Sequence, residues 1–274
     1  MRRNYSLHRR LAEHQSEQPI VQAVQLYVRY DGRQALEDIS FSMFKAERVA
    51  VIGPNGAGKS TLFKVIAGVI SPTSGELTIA GERVSGHICV AYLPQRSHVD
   101  WNFPVSVADV VMMGRIAKLG PLRWPGRGDW RLVRQSLADV GLEALAGRQI
   151  GELSGGQQQR MFIARSLAQE AELLLMDEPL TGLDASSQQA TFDVLDELRR
   201  RGVTVMVATH DLDQAAEKFD RVMLLNRRLM GFGLPDEVFT TERLLQAYGG
   251  HLHRLGQGSA TLTLADTCCD EGDD

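Results

Sequence analysis

An α/β fold with a mainly parallel sheet is predicted by three features of this 274-residue chain. An apolar run at 48–52 opens into a glycine-rich turn that ends in Lys59-Ser60-Thr61. Apolar runs at 173–176, 203–208 and 222–225 alternate with helical segments, as strands do when helices cover both faces of a parallel sheet. Between Pro104 and about Leu167 the texture changes to helical periodicity, which reads as an inserted helical subdomain.

Residues 1–18 carry Arg2, Arg3, Arg9 and Arg10 with no apolar stretch, so a flexible arm is expected there rather than a secretion signal. One domain is expected over 19–250, with its helical subdomain at about 96–165. Segments 20–30 and 39–44 alternate apolar and polar positions, the period of half-buried strands. Turn residues Ser71 to Gly75 separate the next helix from strand-like runs at 77–80 and 88–93. In the insertion, Val107, Val110 and Val111, then Leu132, Val133, Leu137 and Val140, recur at helical spacing. Strand and helix then alternate (173–176, 186–201, 203–208, 212–218, 222–225), and 234–249 is expected to close the domain with short helices. From 251 to 274 the chain becomes acidic and is expected to be a flexible tail.

The turn Gly53-Pro54-Asn55-Gly56-Ala57-Gly58-Lys59-Ser60-Thr61 is a phosphate cradle. Its glycines lack Cβ atoms, so the backbone can take positive φ and bring N–H groups close to a polyphosphate, to which Lys59 adds a full positive charge. The helix expected at 62–68 directs the partial positive charge of its N-terminus at the same anion. Ser60 offers a hydroxyl suited to Mg²⁺, a hard cation that takes oxygen ligands. The spacing matches G-x4-G-K-[ST] in the required context, strand before and helix after, so nucleoside triphosphate binding is expected.

The strand at 173–176 ends in Asp177-Glu178, which places two carboxylates at the carboxyl edge of the sheet, where ligands of open α/β sheets lie. Adjacent strand residues point opposite ways, so the two need different roles: Asp177 to hold Mg²⁺, Glu178 to polarise the attacking water. Leu153-Ser154-Gly155-Gly156-Gln157 precedes another helix, with Ser154 as N-cap and backbone N–H groups free for an anion.

In this order, cradle, Gln95, LSGGQ at 153–157, Asp177-Glu178, Thr181-Gly182-Leu183-Asp184 and His210, the sequence resembles the nucleotide-binding subunit of ATP-binding cassette (ABC) transporters from about Pro19 to Tyr248. The resemblance implies a P-loop NTPase (RecA-like) core, an N-terminal antiparallel β subdomain and an inserted α-helical subdomain. It implies ATP and Mg²⁺ as cofactors, Tyr30 stacked on adenine, Gln95 beside Mg²⁺ and the lytic water, and His210 on the γ-phosphate. Asp184 would lie in the loop crossing to a second subunit. Two cassettes would pair head to tail, Ser154 to Gln157 of one completing the cradle of the other. With one cradle per chain, the partner cassette is another chain, expected to be a second copy.

The stretch 99–115 is similar to cassettes that serve importers of manganese, zinc and chelated iron. That likeness implies an integral membrane permease as partner, a solute-binding protein indirectly, and a position on the inner face of the cell membrane. Trp101 and Phe103, which flank Asn102, are expected to form part of the permease-docking loop. The alternatives are a cassette for a non-metal cargo or a soluble, non-transport ABC ATPase. Soluble ABC proteins of repair or translation usually carry a long coiled coil or two cassettes, and neither is visible in this sequence.

The bulk composition agrees. No run approaches the roughly 18 apolar residues of a membrane helix. A formal net charge of −4 argues against nucleic acid as a partner. The three cysteines, Cys89, Cys268 and Cys269, give no disulfide framework and suit a reducing, cytoplasmic compartment.

Overall fold

The computed structural model describes residues 18–30, 32–83, 89–95, 97, 99–119 and 123–249, and the backbone of 252–255 and 261–264. Residues 1–17 of the segment expected as an arm (1–18), Asp31, and 265–274 with Cys268 and Cys269 lie outside the described residues.

Strands β1 (Val21–Tyr30) and β2 (Arg33–Met43) form an antiparallel pair. Next come β3 (Arg48–Ile52), helix α1 (Lys59–Ile66), β4 (Ser74–Ile79), the short β5 (Glu82–Arg83) and β6 (Val90–Leu93). The helical insertion holds α2 (Val107–Met113), α3 (Ile116–Leu119), α4 (Arg127–Asp139) and α5 (Gly155–Ala168). The chain returns through β7 (Leu173–Asp177), α6 (Ala185–Arg200), β8 (Thr204–Ala208), α7 (Leu212–Lys218) and β9 (Arg221–Asn226). It then runs through β10 (Arg228–Gly233), α8 (Pro235–Val238) and α9 (Thr241–Tyr248).

Among the described residues, β2-β1-β4-β5 form an antiparallel sheet and β10-β9-β3-β8-β7-β6 a second sheet. The second is parallel from β9 to β6, and only β10 runs against its neighbour. Strand alternation divides its side chains between two cores. Val49, Val51, Leu173 and Leu175 pack with α1 and the antiparallel sheet, whereas Ala50, Ile52, Leu174 and Met176 face the helical insertion and α6. Burial on both faces is why these strands read as unbroken apolar runs.

The insertion is held by packing and by ion pairs, among them a cluster around Arg115. Val107, Val110, Val133, Leu137, Met161 and Ala164 share its core. Arg115 donates to Asp129 at 3.2 Å, to Glu170 at 2.6 Å and to the Ala168 carbonyl at 2.9 Å, which joins the start of α4 to the end of α5. Trp101 is partly buried and meets Phe162 of α5 edge to face at 5.9 Å, whereas Phe103 is 56% exposed. The two aromatics expected to share a docking loop therefore differ: Trp101 is tied to the insertion, and Phe103 is open to solvent.

Several elements differ from expectation. Helix α1 begins at Lys59 itself, three residues before its apolar periodicity starts. Strand β10 was not expected, because all but its exposed first residue are half-buried and show no alternation. Arg227, at φ 58°, makes the tight turn from β9. Within the segment expected as a tail, β11 (Leu252–Leu255) pairs antiparallel with β12 (Thr261–Leu264).

Candidate functional site

The cradle is anchored by its neighbours. Gly53 leaves β3 so close to β9 that a Cβ there would lie 2.0 Å from the Leu225 carbonyl oxygen. Gly53 thus serves close approach, not positive φ; Gly56 and Gly58, at φ 77° and 98°, supply the left-handed conformation. Behind them, the Arg227 N–H donates to the Ala57 carbonyl at 2.8 Å. Gly58 caps α1 with no side-chain bond, so the N–H groups of the first turn face the loop.

Lys59 is 6% exposed, and its Nζ donates to the carbonyls of Gly53 (2.7 Å) and Pro54 (3.2 Å). Burial lowers its pKa, while the charges of Glu178 and Asp177 oppose that shift. The ammonium therefore sits within electrostatic reach of both strand-end carboxylates.

A cleft of about 470 Å³ is lined by Asn55, Gly56, Ala57, Gly58, Lys59, Ser60 and Thr61, with Ala35, Gln95 and Glu178 opposite. Gln95 follows β6 and donates from Nε2 to Glu178 Oε2 at 3.0 Å. Glu178 follows β7 with φ 51°, so the chain turns sharply at this residue. Strand alternation ends at Asp177, and the turn, not the pleat, separates the two carboxylates. The Glu178 N–H is held by the Ala208 carbonyl at 3.1 Å.

Asp177 is 5% exposed and accepts from the Tyr92 hydroxyl at 3.3 Å. Burial, followed by the charge of Asp177, holds the Tyr92 phenol well above its usual pKa. His210 is exposed just beyond β8, and Thr209 beside it donates its N–H to the Val51 carbonyl at 3.1 Å. A smaller cavity of about 130 Å³ runs along Glu178, Thr181, Gly182, Gln188, His210 and Asp211, so Glu178 borders both spaces.

Ser154 to Gln157 line neither cavity. They open α5 in a capping box, in which the Ser154 N–H donates to Gln157 Oε1 at 2.9 Å and the Gln157 N–H donates to Ser154 Oγ at 3.4 Å. Gly156 lies against Ser187, where a Cβ would meet Ser187 Oγ at 2.7 Å. Asp184 caps α6 and accepts from the hydroxyls of Ser186 and Ser187 and from the Ser187 N–H, which holds its carboxyl well below the usual range. Tyr30 ends β1, 39% exposed and outside the cleft lining. The chain thus brings together the cradle, Gln95 and Glu178, with Asp177 behind them and His210 alongside, and leaves Ser154 to Gln157 and Tyr30 apart.

Sequence reasoning missed Ala35, a wall of the cleft, and Tyr92. A tyrosine in a buried strand three residues before Gln95 was the available signal, since a buried phenol seeks a partner.

Among the described residues, no helix is long and apolar enough to cross a membrane. The ABC transporter family model matches residues 36–181. The manganese transport system ATP-binding protein of Halalkalibacterium halodurans is 46% identical over 236 residues, 85% of this chain and 94% of that protein. The zinc transport system ATP-binding protein of Treponema pallidum is 46% identical over 233 residues, 85% and 88% of the two chains. A solved structure of a transporter assigned to the metal-chelate ABC type, facing inward, superposes with TM-score 0.78 at 28% identity and covers 90% of this chain and 97% of that one. Cradle, carboxylates, LSGGQ and these likenesses agree: the chain belongs to the ABC transporter family.

Proposed function

We propose that this chain is the ATP-hydrolysing subunit of an ABC importer for a divalent metal: manganese, zinc or chelated iron. The observation that carries the ATPase is the single cleft in which the cradle, Lys59, Gln95 and Glu178 meet. The cradle N–H groups and Lys59 bind and orient the triphosphate. Glu178, held by Gln95 at the cleft wall, is the group to orient water and take its proton, a task worth roughly 10²–10⁴-fold. His210, across the smaller cavity from Glu178, is suited to donate to the terminal phosphate.

Ser60 hydroxyl, Asp177 carboxylate and Gln95 amide oxygen form an all-oxygen donor set, which fits Mg²⁺. The Gln95 amide nitrogen is engaged by Glu178, which leaves its oxygen available. When bound, the ion neutralises charge on the β- and γ-phosphates; the chain's part is to supply these ligands.

Ser154 to Gln157 form a second anion-binding element outside the cleft of their own chain. That supports a head-to-tail dimer in which each copy's α5 N-terminus covers the partner's nucleotide. The role of Tyr30 as adenine platform belongs to the same proposal. Docking to a membrane permease at the inner membrane face, and indirect service to a solute-binding protein, belong to the same proposal, which relatives named as transport-system ATP-binding proteins support. The metal cargo rests on the names of those relatives, because in this scheme the cassette never touches cargo.

Purified protein should hydrolyse ATP in Mg²⁺, and Lys59→Ala should weaken triphosphate binding; unchanged ATP affinity would sink the cradle assignment. Elemental analysis of a deletion strain in metal-limited medium should show a deficit of manganese, zinc or iron. Normal contents of all three, with another solute depleted, would refute the cargo and spare the ATPase.

A further inference from the structure

We propose that Tyr92 is a positioning residue that orients the Asp177 carboxylate for the divalent cation. This rests on the reading of Asp177 as a cation ligand and extends it to a residue behind that ligand.

Tyr92 lies on β6, in register with Leu175 of β7. Asp177 is two residues beyond Leu175, on the same face of that strand. The Tyr92 ring packs into the core that holds Leu173, Leu175 and α1, which fixes its direction. Its hydroxyl therefore extends along β7 to the strand end and meets Asp177 Oδ2 at 3.3 Å.

A phenol is a donor near neutral pH, and an ionised carboxylate only accepts, so the direction of this hydrogen bond is set by chemistry. Asp177 is 5% exposed, so little water competes for its oxygens. One donor on Oδ2 restricts rotation of the carboxylate and leaves Oδ1 to a ligand. Partners behind a metal ligand commonly govern affinity in this way, and their loss costs roughly 10–100-fold. At 3.3 Å the bond is long, so the lower end applies.

The test is Tyr92→Phe, which keeps the ring and removes the hydroxyl, with Asp177→Ala as reference. Binding of a fluorescent ATP analogue is titrated with Mg²⁺ and repeated in EDTA. Tyr92→Phe should raise the Mg²⁺ concentration for half-maximal binding by about 10-fold and leave metal-free affinity and Tm at wild-type values. Asp177→Ala should raise it further. A shift in Asp177→Ala with none in Tyr92→Phe overturns the positioning role and spares the cation ligand. No shift in Asp177→Ala removes the cation reading and this inference with it. Equal loss of metal-free binding in Tyr92→Phe makes Tyr92 structural only and also overturns the proposal. If Tyr92→Phe does not fold, the ¹³Cζ resonance of Tyr92 decides: it should move in Asp177→Asn, and an unmoved resonance refutes the contact.

Discussion

Replacing Gly53 by alanine tests the close approach of cradle and sheet. The new Cβ would lie 2.0 Å from the Leu225 carbonyl oxygen and 3.0 Å from the Ala57 Cβ. Ordinary contact, at 3.4 Å or more, requires β3 and β9 to separate by about 1.4 Å, and both are backbone in a paired ladder in which Ile52 faces Leu224. No flexible side chain can absorb the strain. Overpacking usually costs 1–3 kcal/mol, and the rigidity on both sides places this case near about 3 kcal/mol. Gly56→Ala is the contrast. A Cβ there has nothing within 4 Å, so only the left-handed φ of 77° is penalised, by roughly 1–2 kcal/mol. Urea unfolding of both variants should rank Gly53→Ala as the less stable, and its nucleotide affinity should fall because the shift opens the cradle. Equal stabilities, or the reverse order, would refute the view that β9 sets the cradle.

Three further outcomes are expected. Trp101→Ala should lower stability by about 1–3 kcal/mol through lost contact with Phe162 and the insertion core, whereas Phe103→Ala should stay within about 0.5 kcal/mol; urea unfolding that fails to separate them would contradict the split. Hydrogen bonds from the Gly126 N–H and Arg115 lower the pKa of Asp129, and those from Lys118 and Arg115 outweigh burial to lower that of Glu170. Folded values below unfolded ones mean stability present above about pH 4 and lost as pH falls through the folded values, so Arg115→Ala should flatten the acid limb of a stability–pH curve. Lys59→Ala should stay folded, since its Nζ bonds only loop carbonyls, and circular dichroism should match the wild-type spectrum.

Much of this architecture was legible because its signals are local. The apolar runs at 173–176 and 203–208 became fully buried strands, and the change of texture at 104–167 became the helices from α2 to α5. The cradle was legible because its chemistry is contiguous. What escaped depends on distant parts of the chain. Gly53 is constrained by Leu225, far along the sequence, and Tyr92 acquires meaning only when β6 lies beside β7. Strand alternation misplaced the reason for Glu178's separate orientation, because a left-handed residue ends the pleat. Trp101 and Phe103 look equivalent in sequence, and only Phe162, on a helix some sixty residues later, tells them apart. Strand β10 escaped because half-burial on both faces leaves no period to read.

The central claim is that Glu178 performs the chemistry in a cleft closed by a second copy. Size-exclusion chromatography of Glu178→Gln with Mg-ATP, alongside its ATPase rate, tests this directly. The variant should bind ATP, lose turnover by roughly 10²–10⁴-fold and elute as a dimer that is absent without nucleotide. A monomer at saturating Mg-ATP, or turnover near wild type, would contradict the account.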